Sequence, residues 1–258
     1  MKVVILAGGL GTRISEESHL RPKPMIEIGG QPILWHIMNS YAQYGFDDFI
    51  ICLGYKGHVI KEYFNHFHLH YSDLKFDFSN NNSISYLNNK TTPWKVTLID
   101  TGLNTMTAGR LTRIKKYLNP NETFLMTYGD GLCDVNINTL VDYHKNHGLM
   151  ATVTAVNPPG RFGLLTHDDE DYVLGLAEKP PGDGAYINGG FFVFEPKVLE
   201  FMGGDESILE QGPLQEIAKQ RQIKCYRHSG FWQCMDTLRD KILLDNLCSK
   251  GNMPWIKK

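Results

Sequence analysis

At 258 residues, 42% hydrophobic and 21% charged, the chain has the size and composition of a globular protein with a sizeable core, in one large α/β domain or two small ones. A formal net charge of −2 argues against nucleic acid or an anionic membrane as the main partner, since either favours a basic surface; an anionic ligand must then be met by a local set of donors. No stretch approaches the ~20 apolar residues of a membrane span, no basic leader precedes the first apolar run, and the cysteines, 5 in number, form no Cys-x-x-Cys pair, which reads as a cytoplasmic protein with reduced thiols and no structural zinc.

The first predicted element is a buried strand, Val3-Val4-Ile5-Leu6-Ala7, which empties into Gly8-Gly9-Leu10-Gly11-Thr12-Arg13. Glycines let the backbone turn at positive φ and approach a ligand closely, so consecutive N–H groups can point at phosphate oxygens. Thr12 adds a hydroxyl donor and Arg13 a planar, permanently charged fork. This is not a Walker A loop, which needs Gly-Lys-Ser/Thr where the chain has Gly11-Thr12-Arg13. Nor is it a dinucleotide fingerprint, whose third glycine is replaced by Ile14. Lys23 follows between Pro22 and Pro24, which fix φ on both sides; the spacing predicts an ammonium presented from a stiff extended segment, suited to a developing negative charge.

Alternating strands and helices come next, the pattern of a single doubly wound, Rossmann-like, mixed but mostly parallel α/β sheet. A helix is predicted over 33–44 with Gly45 as its C-cap, a buried strand over 49–53, and a helix over 56–64. Residues 66–89 break the rhythm: alternation around Asn80-Asn81-Asn82 predicts a β-hairpin extension. His66, His68 and His70 would share one face of a strand there, as metal ligands or, with no acidic or cysteine partner nearby, as a half-exposed face or subunit contact.

The rhythm resumes with a strand over 96–100, a loop through Thr105 and a helix over 110–118. A strand over 124–128 ends in Tyr128-Gly129-Asp130-Gly131; a carboxylate between glycines at a strand's carboxyl end is accessible to a cation, and Asp130 is assigned to Mg²⁺. A second acid should converge on the same ion, and Asp236 is the candidate, although an aspartate just ahead of the predicted helix 238–247 also reads as an N-cap. Glu178-Lys179 and Asn188 carry the donors and acceptors that sugar hydroxyls and a sugar phosphate need.

Leu6-Ala7-Gly8-Gly9-Leu10-Gly11-Thr12-Arg13, Pro22-Lys23-Pro24-Met25 and Gly30-Gln31-Pro32-Ile33-Leu34 together resemble the signature of the sugar-1-phosphate nucleotidyltransferases over nearly the whole chain. The usual leucine and proline after the arginine are replaced by Ile14-Ser15-Glu16-Glu17-Ser18-His19-Leu20-Arg21; this variant, with Trp35-His36-Ile37-Met38, is similar to the branch that joins CTP to glucose 1-phosphate as CDP-glucose. The resemblance implies one nucleotidyltransferase domain over 1–258, with a nucleotide half to about residue 130 and a sugar half beyond it. It implies Mg²⁺ on Asp130 and Asp236, catalytic Arg13 and Lys23, and the triphosphate on residues 6–13. Thr105 and Arg110 would meet the base, Tyr128 and Gly129 would face the substrates, Gly163, Glu178 and Asn188 would meet the hexose, and Lys179 would hold the sugar phosphate. It further implies a homo-oligomer, a hexamer in the family, and a product used for CDP-linked deoxysugars of lipopolysaccharide O-antigen. A uridylyl- or thymidylyltransferase on glucose 1-phosphate, a cytidylyltransferase on phosphocholine or a polyol phosphate, and a non-catalytic nucleotide-sugar sensor remain alternatives.

Overall fold

Val3, Val4 and Ile5 are wholly buried because the strand they form has neighbours on both sides and helices on both faces, which is why its sequence is an unbroken apolar run. The computed structural model describes residues 1–14, 19–88, 90–157, 164–167, 173–177 and 186–257, the two shortest stretches by backbone alone. In chain order the strands are β1 (Val3–Leu6), β2 (Glu27–Ile28), β3 (Gln31–Pro32), β4 (Asp48–Leu53), β5 (Asp73–Asp77), β6 (Ser83–Leu87), β7 (Lys95–Asp100) and β8 (Phe124–Tyr128). They continue as β9 (Gly131–Cys133), β10 (Ala151–Val156), β11 (Leu164–His167), β12 (Val173–Ala177), β13 (Ile187–Phe194), β14 (Ile223–His228) and β15 (Trp232–Cys234). The helices are α1 (Ile33–Ala42), α2 (Gly57–Asn65), α3 (Phe67–Tyr71), α4 (Thr107–Ile114), α5 (Ile137–His147), α6 (Pro213–Lys219) and α7 (Leu238–Ser249).

The central sheet has 7 strands in the order β14-β10-β13-β8-β1-β4-β7. Its pairings are parallel except where β13 runs against β8 and β10. Alternate residues of β1 feed opposite cores. Val3 and Ile5 join α1 and α5 on one face; Val4 and Leu6 join α4 and α6 on the other. The doubly wound, mixed and mostly parallel sheet predicted above is thus the architecture found. Because β1 is flanked by β4 and β8, the chain leaves it in one direction and returns on its other side, and the loops after β1, β4, β7 and β8 meet above one end of the sheet.

Three local expectations change. Lys23 is not on an extended segment: it opens a single 3-10 turn, Lys23–Met25, because a proline is welcome in the first turn of a helix, where its missing N–H costs nothing. His68 and His70 lie on the short helix α3, with His66 just ahead of it. Spacing by two on a helix points side chains to different sides, so no histidine face forms. The antiparallel hairpin then runs from Asp73 to Leu87, with Asn81 and Asn82 at positive φ in its turn. Among the described residues no helix is long and apolar enough to cross a membrane.

Candidate active site

The loops at the carboxyl end of the sheet hold one another in place through backbone bonds. Ala7 N–H donates to Cys52 O at 3.0 Å, Tyr55 N–H to Gly8 O at 3.2 Å and Gly129 N–H to Leu6 O at 3.0 Å. Gly11 sits at φ +66°, reversing the loop into a 3-10 turn over Thr12–Ile14. Glycine at position 8 is required by crowding: a Cβ there would lie 2.2 Å from the Arg110 guanidinium.

Arg110 is buried under this loop. Its Nη1 donates to Leu53 O at 3.0 Å, Thr101 Oγ1 at 2.7 Å and Gly102 O at 2.9 Å, and its Nη2 to Gly8 O at 3.0 Å. Resemblance assigns Arg110 to the base. It lines the cavity, and its fork ties the ends of β1, β4 and β7 together.

These loops enclose a cavity of about 850 Å³, room for two small substrates at once. Its wall brings together Leu6, Ala7, Gly8, Gly9, Gly11, Thr12, Arg13, Lys23, Thr105, Arg110, Tyr128, Gly129, Asp130, Asn188 and Asp236. Leu10 does not join it; the side chain is 52% exposed, on the outside of the turn. Gly163, Glu178 and Lys179 lie outside the described residues.

At the centre, Lys23 Nζ donates to Asp130 Oδ2 at 2.7 Å and to Asp236 Oδ1 at 2.6 Å, while Arg13 Nη1 reaches Asp236 Oδ2 at 2.6 Å. The two acids meet because β15 pairs with β9, setting Cys234 opposite Gly131, and Met235 N–H donates to Asp130 O at 2.8 Å. Lys23 is only 7% exposed. Burial would strip its proton, but Asp130 and Asp236 outweigh that and hold its pKa above the ordinary lysine value. Burial pulls the Asp236 carboxyl upward, yet Lys23 and Arg13 carry it below the usual carboxylate range.

Asp236 is not a cap. Thr237 fills the N-cap of α7 in a capping box with Asp240, and Asp240 Oδ2 also accepts from Asp236 N–H at 3.0 Å. The aspartate is thereby held by its backbone, and its carboxylate is left for the cavity.

Asp130, Cys234 and Asp236 place one potential ligand atom each within 4.8 Å of one another, so a divalent cation could be held here. Burial, then Asp130, pushes the Cys234 thiol up, so it stays protonated and leaves the carboxylate oxygens as the anionic ligands.

Cys234, Thr107, Trp232 and Glu210 also line the cavity and carry no signal in the sequence. Each belongs to a segment whose position depends on distant pairing. Glu210 arrives on a 3-10 turn, Leu209–Gln211, far along the chain from the loops it faces.

The nucleotidyl transferase family model matches residues 2–232. The chain is 53% identical to the glucose-1-phosphate cytidylyltransferases of Salmonella typhi and Salmonella typhimurium over 255 residues, covering 99% of this chain and 98% of each relative. The crystal structure of HddC from Yersinia pseudotuberculosis is similar in fold, with a TM-score of 0.66 at 23% identity over 97% of this chain and 99% of that one.

Proposed function

Since the chain belongs to the nucleotidyl transferase family, we propose that it transfers the cytidylyl group of CTP to glucose 1-phosphate, giving CDP-glucose and pyrophosphate. The observation that carries this reading is Lys23, charged and buried, bridging Asp130 and Asp236 beside a glycine loop in a cavity with room for both substrates. The cytosine and the glucose rest on the named activity of the relatives at 53% identity.

A phosphate oxygen of glucose 1-phosphate attacks the α-phosphorus of CTP in line; the new P–O bond forms as the bond to the β-phosphate oxygen breaks, and its electron pair leaves with pyrophosphate. The attacking group is already an anion, so the protein supplies no nucleophile, and catalysis is positioning and charge neutralisation. Backbone N–H groups of residues 8–12 hold the triphosphate, Arg13 meets the departing pyrophosphate, and Lys23 meets charge growing on the transferred phosphoryl group. Asn188 orients the hexose, and resemblance alone assigns Gly163 and Glu178 to the hexose and Lys179 to the sugar phosphate.

The pair Asp130 and Asp236 fits Mg²⁺, because its carboxylate oxygens are hard ligands and the neighbouring thiol is neutral. Bound there, Mg²⁺ neutralises phosphate charge. Lys23 and Arg13 keep the two acids from repelling each other without it.

We further read the protein as one cytoplasmic nucleotidyltransferase domain that assembles as a homo-oligomer, with the β5–β6 hairpin as a subunit contact. Pyrophosphate release with glucose 1-phosphate and each of CTP, UTP, dTTP and GTP tests the reaction. CTP is expected to be fastest; a faster UTP or dTTP reassigns the base, and release with none leaves a nucleotide-sugar sensor.

A further inference from the structure

Among the described residues three carboxylates line the cavity, and Asp130 and Asp236 are neutralised by Lys23 and Arg13. Glu210 is different: among the described residues its partners are neutral hydroxyls. Its Oε1 accepts from the Tyr128 hydroxyl and its Oε2 from Thr107 Oγ1 at 3.4 Å. Thr107 Oγ1 in turn accepts from Leu209 N–H at 2.8 Å, which locks the turn carrying Glu210 to the start of α4. Asn188 Nδ2 approaches the Tyr128 oxygen at 3.5 Å from the other side. Burial, then Glu210, raises the Tyr128 phenol, which stays a donor at any working pH.

An unpaired carboxylate in a cavity that receives two polyanions is costly if it faces phosphate. It is useful if it faces neutral donors, since an ionised carboxylate only accepts, with about four lone-pair sites of which two are engaged here. The neutral donors that both substrates bring are sugar hydroxyls. Glu210 lies between Thr107, at the start of α4, and Tyr128, which sits opposite Leu6 of β1 and beside Asn188. Thr107, Tyr128 and Asn188 line the cavity along with Glu210.

We propose that Glu210 is a specificity-determining residue that accepts hydrogen bonds from a vicinal diol of a bound substrate, held in position by Tyr128 and Thr107. The diol belongs either to the ribose of the nucleotide or to the hexose. This rests on the two-substrate reading above, but it is a statement about binding and can be measured without turnover.

The test is titration calorimetry on the full chain and on E210Q, which is neutral, keeps the shape, and can still accept from Tyr128 while donating to Thr107. CDP is compared with 2′-deoxy- and 3′-deoxy-CDP, and glucose 1-phosphate with its 2-deoxy and 3-deoxy forms. A hydrogen bond to a charged group sets the scale, so the unmodified protein should bind the hydroxylated ligand of one pair about tenfold or more better. E210Q should bring that ratio to about one while leaving the other pair's ratio unchanged. Collapse of the nucleotide ratio assigns the ribose, and collapse of the sugar ratio assigns the hexose. Equal weakening of every ligand, or no preference for hydroxyls in the unmodified protein, overturns the proposal and leaves Glu210 as a brace for Tyr128. If no nucleotide supports pyrophosphate release yet a ratio still collapses in E210Q, the reaction is wrong and the role of Glu210 stands.

Discussion

Lys23 keeps its proton where burial alone would remove it, because two carboxylates sit within hydrogen-bonding distance of its Nζ. Lys23→Met preserves the stem and removes the charge. It should lower kcat by about 100- to 1000-fold, the usual effect of deleting one donor to transition-state charge, with a small change in KM for CTP. Steady-state kinetics check this, and a change confined to KM would mean that Lys23 binds ground and transition states alike. Asp236 is expected to answer to pH. Its folded pKa lies below the ordinary 3.8, so the stability it lends is complete above that value and is lost as pH falls through the folded pKa. The gap in unfolding free energy between the parent protein and Asp236→Asn should therefore be flat at neutral pH and narrow on acidification, as read from urea melts in a pH series. The same substitution should weaken the Mg²⁺ dependence of product formation, and an unchanged Mg²⁺ titration would remove Asp236 from the metal site.

At the scale of elements, the site is a set of strand ends and loops packed backbone to backbone. A Cβ at Gly54 would stand 2.5 Å from Gly8 O, and neither main chain can yield without moving the loop after β1. A Cβ at Gly9 would meet nothing within 4 Å. Gly54→Ala should thus lower the melting temperature by several degrees and raise KM for CTP, whereas Gly9→Ala should leave the melting temperature within about a degree, measured by calorimetry on both. The start of α7 works in the same way: Asp240 accepts from the N–H groups of both Asp236 and Thr237, so a helix cap fixes a carboxylate of the cavity wall.

Across the whole molecule, two cores on opposite faces of one sheet hold the rigid strand ends against which the loops are set. The β5–β6 hairpin stands apart from that sheet, with Phe76, Phe78, Ile84 and Tyr86 each at least 46% exposed. Apolar surface of this kind on a two-stranded ribbon calls for a partner. Light scattering on a variant lacking residues 66–89 should report a smaller assembly than the parent, and an unchanged mass would move the subunit contact elsewhere.

The sequence by itself determined the elements that depend on near neighbours. The apolar run of β1, the glycines after it, the period of α1 and the alternation of strands with helices are all read over a few residues, and they fix a doubly wound sheet with a glycine loop at the carboxyl end of its first strand. It also marked Lys23 by chemistry and resemblance and paired Asp130 with Asp236, but did not place Lys23 between them. Only the tertiary structure decided that Lys23 bridges both acids, that Arg110 ties loops instead of offering a free fork, that α3 replaces a histidine-bearing strand, and that Glu210 enters the cavity. The reason is that the first, second and last of these depend on contacts between segments far apart in the chain, β9 with β15 above all. Local composition fixes which strands can form; burial and backbone hydrogen bonding across the whole fold decide which of them meet.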